Sequence, residues 1–367
     1  MEWVKLGNLV NIKTGKLNAN AANPKGKYPF FTTAKEISYI DSYSYDDEVV
    51  LVAGNGDLNV KYYEGKFDAY QRTYILTKKE NSEINFKFLY FFMSDYVKIL
   101  RNQSIGGVIK YIKLENLTEA KIPLLSLSEQ INIVDLLNNA ERLIEIRNKQ
   151  IQAYDDLIES LFFEMFGNPN YEYNIFNLTK LGDLGTWKSG GTPKRSNKNY
   201  FTGDIPWVTS GELNDIFIHD SFEHINEEAV ENSSAKLVPI GSLLLGMYDS
   251  AGLKSSISSK VLTTNQAIAF SKLDDDICNT IFVYFCIQLM RDKLLKKQRG
   301  VRQKNFNLSM IKEISIPIPP IEMQNKFADY VIKIEEEKKK LRASLNEFEI
   351  LFDALMEDAF SGNLFKE

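Results

Sequence analysis

The chain has 367 residues, 44% hydrophobic, 12% aromatic and 25% charged, which is too long for one ordinary core and too apolar for extended disorder. A formal net charge of −5 argues against a uniformly basic nucleic-acid binder, so any positive surface must be local. Cys278 and Cys286 share one apolar stretch and exclude a disulfide framework. The start Met1-Glu2-Trp3-Val4-Lys5 carries no charged-then-apolar leader, and apolar runs stay well short of about 18 residues; the expectation is a cytoplasmic protein with no membrane span.

In chain order, residues 3–35 hold no acid while Lys5, Lys13, Lys16, Lys25, Lys27 and Lys35 accumulate. The apolar runs 49–52 and 72–76, bounded by Gly, Asn and Asp, predict buried strands, and residues 86–101 predict an amphipathic helix. After Pro123 the period changes. Ile133, Leu137, Ala140, Ile144, Ile151, Tyr154, Ile158, Leu161 and Met165 follow alternating steps of four and three, interrupted by Arg147. The features then recur. Within residues 184–203 the charges are Lys188, Lys194, Arg195 and Lys198; residues 243–245 predict a strand and 277–297 a helix. After Pro317, Pro319 and Pro320, a second seam runs through Phe327, Val331, Ile334, Leu341, Leu345, Phe348, Phe352, Leu355 and Ala359, interrupted by Lys338. Each seam implies about 33 residues of helix, roughly 50 Å long, with Gly167 and Gly362 suited to the ends.

These recurrences form one ordered, domain-sized duplication. Lys5-Leu6-Gly7-Asn8-Leu9 returns as Lys180-Leu181-Gly182-Asp183-Leu184, Thr14-Gly15 as Ser189-Gly190, and Tyr28-Pro29-Phe30-Phe31-Thr32-Thr33 as Ile205-Pro206-Trp207-Val208-Thr209-Ser210. Tyr70-Gln71 returns as Asn265-Gln266, Gly107-Val108 as Gly300-Val301, Lys121-Ile122-Pro123 as Ser315-Ile316-Pro317, and Phe166-Gly167-Asn168 as Ser361-Gly362-Asn363. The expected architecture is α+β: two similar domains in a pseudo-twofold arrangement, separated by two long helices that bury their stripes as an antiparallel coiled coil. Two core helices, each kept in its own globule, are the alternative.

Carried by the Lys-Leu-Gly-Asn/Asp-Leu openings, Ile122-Pro123-Leu124 and Ile316-Pro317-Ile318, the Glu129-Gln130 and Met323-Gln324 pairs and the heptad helices, the whole chain resembles the specificity subunits of type I restriction-modification systems. The resemblance implies target-recognition domains at 1–125 and 171–320 and conserved helices at 126–170 and 321–367. It implies a subunit without catalysis or cofactor of its own, which reads a bipartite site on double-stranded DNA and docks two methylation subunits. The complex is open to two restriction subunits. S-adenosylmethionine, ATP and Mg would sit on those partners, the product being N6-methyladenine.

Basic loops with glycine and amide or hydroxyl neighbours suit phosphate contact and base-edge readout. In the first copy these are Lys13, Thr14, Gly15, Lys16, Thr32, Thr33, Asn55, Gln71, Arg72, Gly107 and Lys110. Their counterparts are Lys188, Thr192, Lys194, Arg195, Thr209, Ser210, Gln266, Arg299, Arg302, Gln303 and Lys304, the last four in a cluster of seven basic residues at 291–304. Enzyme motifs are weak. Asn168-Pro169-Asn170-Tyr171 approaches a methyltransferase loop but reads as a helix stop; Asp57, Glu64 and Lys66 read as turn and strand; His219 and His224 read as surface loop; and the acidic residues 223–231 read as a solvated face. A stand-alone DNA methyltransferase or nuclease, and a coiled-coil scaffold that binds no DNA, are the alternatives. An insertion of about 19 or 20 residues in the second copy points to two unlike half-sites.

Overall fold

The computed structural model describes residues 2–170, 176–248, 252–299 and 305–361, with side chains omitted at 297–299. The chain divides into two units, one formed by Met1–Lys149 with Leu341–Glu367 and the other by Gln150–Lys340. Both boundaries fall inside the long helices, so each unit holds a part of each helix.

The first unit begins with β1 (Glu2–Lys5) and α1 (Leu6–Leu9), followed by β2 (Val10–Thr14), β3 (Tyr28–Phe31), β4 (Ser38–Ile40), β5 (Tyr45–Ala53), β6 (Val60–Ala69) and β7 (Thr73–Lys78). Then come α2 (Phe86–Gln103), α3 (Leu114–Thr118), β8 (Lys121–Leu124) and the start of α4 (Leu127–Phe166). The sheet order is β2–β7–β5–β6–β3–β4, and β1 pairs with β8. The apolar run in β5 is covered on both faces. Val50 and Val52 join Leu76 and the helix α2, while Val49 and Leu51 meet Phe31, Phe67 and Ile75. Alternate residues of a strand face opposite ways, which is why a doubly covered strand reads as an unbroken hydrophobic run.

The second unit repeats the plan with β9 (Leu178–Lys180), β10 (Lys188–Ser189), β11 (Ile205–Val208), β12 (Phe217–Ile218), β13 (His224–Ile225) and α5 (Glu227–Glu231). It continues through β14 (Leu237–Val238), β15 (Leu243–Gly246), β16 (Ser255–Ser258), β17 (Leu262–Thr264), β18 (Ile268–Ser271), α6 (Thr280–Arg299), α7 (Leu308–Lys312), β19 (Ser315–Pro317) and α8 (Ile321–Ser361). Here the sheets are β10–β18–β15–β16–β12 and β13–β11–β17–β14, with β19 on β9. In the first unit β6 is antiparallel to β5 and, at its end, parallel to β3. The second copy splits that task between β16, antiparallel to β15, and β17, parallel to β11. Gly65 in β6 sits at φ +124°, a backbone conformation that glycine adopts without steric cost. The extra residues of the second copy fall between β11 and β15.

The long helices run 40 and 41 residues, beyond the extent of the heptad seams. Ser126 caps α4: its N–H and hydroxyl both donate to Glu129 Oε2, at 2.8 and 2.6 Å, and its Oγ accepts the Glu129 N–H. Those bonds hold the Glu129 carboxyl below its usual range. Gly167, at φ +73°, closes the far end by donating to Phe163 O. Ile133, Leu137, Ala140, Ile158, Phe327, Val331 and Ile334 are buried, and Ile144, Ile151, Leu341, Leu345 and Phe352 are half-buried.

In the second unit Asp155 meets Lys338 at 2.5 Å, and Phe162 meets Phe327 with ring centres 5.4 Å apart. In the first, Arg147 lies over the Phe348 ring at 5.5 Å, and Ile133 and Leu137 share a core with Met356, Ala359 and Phe360. Later residues of α4 thus meet earlier residues of α8, an antiparallel pairing within each unit. Lys338 and Arg147 do not interrupt the seam, as the sequence reading held, but belong to it. Lys338, 3% exposed, is bound by Asp155 and by Glu335 at 2.6 Å.

Each long helix is fastened to its domain by one buried glutamine. Gln130 Oε1 accepts the Asn85 N–H (2.8 Å), and its Nε2 donates to the carbonyls of Leu125 (2.9 Å) and Glu83 (3.4 Å). Gln324 makes the same bonds with Asn279 N–H (2.9 Å), Pro319 O (2.7 Å) and Ile277 O (3.4 Å). Asn85 and Asn279 in turn cap α2 and α6 by accepting from Phe88 N–H and Ile281 N–H. Replacing Gln130 or Gln324 by Leu strands buried backbone groups and lowers stability by about 2–3 kcal/mol in urea denaturation. The exposed control Gln152→Leu costs less than about 0.5 kcal/mol.

Candidate nucleic-acid interface

In the first unit the loops carrying the candidate side chains leave one edge of the curled sheet. Because β3 and β6 end in parallel, Thr32 and Tyr70 emerge together, and Tyr70 N–H donates to Phe31 O at 2.9 Å. Gly15, just past β2, donates to Thr73 O, and a Cβ on it would lie 2.1 Å from Ala69 O. Glycine is required there by close backbone approach rather than by a turn. Gln71 N–H bonds Leu17 O, Gly54 N–H bonds Arg72 O, and Gly56 N–H bonds Lys110 O. Thr14, Gly15, Asn55, Gln71, Arg72 and Lys110 are thereby brought into one patch by main-chain pairing, with Lys16 and Thr32 next to bonded residues in sequence. Thr33 joins through its carbonyl, which accepts from Asn59 Nδ2.

The second unit reproduces this bonding. Asn265 N–H donates to Val208 O at 2.9 Å, Gly190 N–H to Ile268 O at 3.0 Å, and a Cβ on Gly190 would lie 2.2 Å from Thr264 Oγ1. Gly191 N–H bonds Thr264 O, and Trp207 Nε1 returns to Gly191 O at 3.0 Å. Thr192 and Gln266 are hydrogen-bonded to each other, and Thr209 and Ser210 leave beside Asn265 as Thr32 leaves beside Tyr70. Thr209 also forms a capping box with Glu212.

With main-chain groups satisfied internally, polar side chains at these edges are available for a ligand. Lys16, Arg72, Lys110, Lys188 and Lys194 are exposed and have no ion-pair partner among the described residues. Lys13 stands over the Tyr45 ring at 4.8 Å, and Gln71 donates to Asn18 Oδ1. Arg195 is differently placed. Its guanidinium grips Glu223 with both terminal nitrogens and lies against the rings of Phe201 (4.7 Å) and Trp207 (4.6 Å), which themselves meet edge to face at 6.0 Å. Charge-assisted bonding holds the Glu223 carboxyl below the usual carboxylate range.

The side chain of Arg299 lies outside the described residues, as do Arg302, Gln303 and Lys304 and the motif residues Tyr171, Gly300, Val301, Gly362 and Asn363. Of that basic cluster, Arg291 Nε donates to Gly252 O and Lys293 Nζ to Asn170 O, so both are tied to the unit's own main chain. Asn170, after the end of α4, donates to Leu289 O, which fits the helix-stop reading. Asp57 bridges Lys35 (3.4 Å) and Arg101 (3.1 Å), and Glu64 stands opposite Glu48 in the sheet. Two expectations need correction. His224 is not a loop residue; it opens β13 and contacts Asp220 at 2.8 Å. The acidic stretch is not wholly a solvated face, because Glu223 holds Arg195 and Glu228 accepts from Asn199. The sequence reading missed Asn18, Asn59 and Trp207, whose polar atoms act on main chain or on other candidates, and an apolar tip at Val108-Ile109. Among the described residues, no group of three His, Cys, Asp or Glu side chains could hold a metal ion, and no helix is long and apolar enough to cross a membrane.

A family model described as the type I restriction modification DNA specificity domain matches residues 1–153 and 176–347. The chain belongs to that family. It is similar to the specificity subunit of the type I restriction enzyme EcoDI of Escherichia coli, 36% identical over 184 residues, or 48% of this chain and 41% of that protein. The E. coli EcoR124I/EcoR124II specificity subunit is 24% identical over 286 residues, 71% of this chain and 66% of that protein. The chain thus spans less than two thirds of these curated relatives. Its fold resembles the crystal structure of a type I restriction-modification S subunit from M. genitalium, with a TM-score of 0.63, 16% identity and coverage of 98% of this chain and 96% of that one.

The Arg195–Glu223 pair generates a pH prediction. A carboxyl whose folded pKa is depressed contributes stability that is present above its unfolded value, near 4.5, and is lost as pH falls through the folded value. Wild type therefore exceeds Glu223→Gln in urea stability at pH 7, and the gap narrows as pH falls below 4.5; a gap unchanged with pH refutes the pairing.

Proposed function

We propose that this chain is the DNA specificity subunit of a type I restriction-modification complex. Each unit reads one half of a bipartite site on double-stranded DNA, and the α4–α8 pair sets the spacer. The observation that carries this reading is the duplicated reading edge: the same main-chain bonds around Gly15 and Gly190 present amide, hydroxyl and cationic side chains in both units. Amides and guanidinium groups address base edges, while lysines neutralise phosphates. The names of the relatives and the family assignment point the same way.

In this reading the bounds are recognition domains at 1–125 and 171–320 with helices at 126–170 and 321–367. The chain acts in the cytosol, docks two methylation subunits and admits two restriction subunits. Those partners carry S-adenosylmethionine, ATP and Mg, and supply the chemistry of adenine N6 methylation and cleavage. The candidate contacts named above act as sets, one for each half-site.

Sequencing the methylome of cells that express the chain with its partner subunits returns a split motif; the absence of any new methylated motif sinks the proposal. Lys16→Ala and Lys188→Ala each reduce the salt slope of duplex binding by about one, and an unchanged slope removes that lysine from the phosphate contacts. Removing one heptad from both α4 and α8 shortens the pair by about 10 Å and moves the preferred spacer by about three base pairs. An unchanged spacer would refute the ruler role.

A further inference from the structure

Beside the first reading edge, residues 105–111 form a projecting hairpin closed by paired Ile105 and Tyr111, whose N–H groups donate to each other's carbonyls at 3.0 and 2.9 Å. Its tip is apolar and bare. Val108 is 103% exposed and Ile109 62%, on a support of Gly106, at φ +118°, and Gly107. Two branched aliphatic side chains, one fully and one largely in water, forgo burial that would stabilise them by about 0.8 kcal/mol per methylene-sized group. The hairpin is anchored where the readers are: Gly56 N–H bonds Lys110 O, Ile112 N–H bonds Gly54 O, and Tyr74 Oη bonds Ile112 O. Asn55 pairs with Tyr111 across the same junction.

We infer that the Val108-Ile109 tip is an apolar reader of thymine C5-methyl groups in the major groove of the half-site bound by the first unit. This rests on the proposed DNA-reading function. Asn55, Gln71 and Arg72 are the side-chain types that address adenine and guanine from the major groove, where thymine alone presents a methyl group. Lys110, next to the tip, supplies the cation that a neighbouring phosphate needs, and no carboxylate lies within residues 104–111. A minor-groove wedge is less favoured. It would have to unstack a base step, whereas methyl contact leaves the duplex intact.

The test uses the assembled complex with its methylation subunits and duplexes carrying its motif, with each thymine of the first half-site replaced in turn by uracil, which lacks the methyl group. Wild type loses about fourfold or more in affinity at one or two such positions. The double variant Val108→Ser, Ile109→Ser loses as much on the thymine duplex, does not distinguish uracil there, and keeps the wild-type salt slope. Lys110→Ala shows the reverse pattern, a lower slope with uracil discrimination intact. Both substitutions lie at exposed positions, and an unchanged urea midpoint confirms an intact fold. Equal loss on thymine and uracil duplexes overturns the inference, as do a half-site without thymine and wild-type binding by the double variant. A rise in 2-aminopurine fluorescence at a base step, abolished in the double variant without uracil discrimination, also overturns it by assigning a wedge. If wild type shows no sequence preference at all, the proposed function fails instead.

Discussion

Neither long helix can be stable alone, and most of the rest follows from how their apolar stripes are buried. A stripe at alternating steps of four and three leaves hydrophobic surface along the whole length of a helix, and burial against a partner is what repays the conformational entropy of ordering 40 residues. In each unit the α4 and α8 segments cover each other and also enter the domain core: Phe162 and Phe166 stack with Phe282 and Phe327 in one unit, and Phe88 and Phe91 meet Phe360 and Phe352 in the other. Helix pair and recognition domain are therefore a single hydrophobic body within a unit. The polar seam residue Lys338 fits this account. A buried ammonium tolerates few registers, because sliding the helices would part it from Asp155; such a residue selects one register more than it adds stability.

The glutamines at the helix starts complete the coupling. Gln130 and Gln324 each bond the N–H of the residue that caps the domain helix and two loop carbonyls at once, so the long helix, the domain helix and the connecting loops meet at one side chain. Hydrogen bonds are directional where hydrophobic contact is not. The aromatic cores hold helix and domain together; the amide fixes their angle. The proposed reading of base edges would require both.

Much of this was legible in the sequence because it depends on periodicity. The seams, the runs in β5, β7 and β15, the helices α2 and α6 and the ordered duplication all express a repeat of 3.5 or 2, or one domain length, which residues disclose without coordinates. What stayed illegible depends on partners distant in sequence. Lys338 and Arg147 looked like interruptions because Asp155 and Phe348 lie on the other helix. The equivalence of the single strand β6 with the pair β16 and β17 could not be seen because it rests on pairing partners, β5 and β3 in one copy and β15 and β11 in the other. Val108 counted only as a repeat marker beside Gly107, because exposure is a tertiary property that residue order does not disclose.

The two units differ most where they resemble each other most, at the reading edges. Both are built on a glycine whose missing side chain lets two loops touch, so the framework is fixed by main chain and the side chains above it can change without unfolding it. In the first unit Arg72 stands exposed at that edge. In the second, Arg195 is spent on Glu223 and on the rings of Phe201 and Trp207, a clamp that joins the loop before β11 to the segment inserted after it. The paired Arg195 side chain stays 53% exposed, and Thr192, Gln266, Lys188 and Lys194 stand at the same edge, so the second unit offers a different set of donors. Under the proposed function, one framework with different donors projected from it is a physical route by which a duplicated chain would read two unlike half-sites.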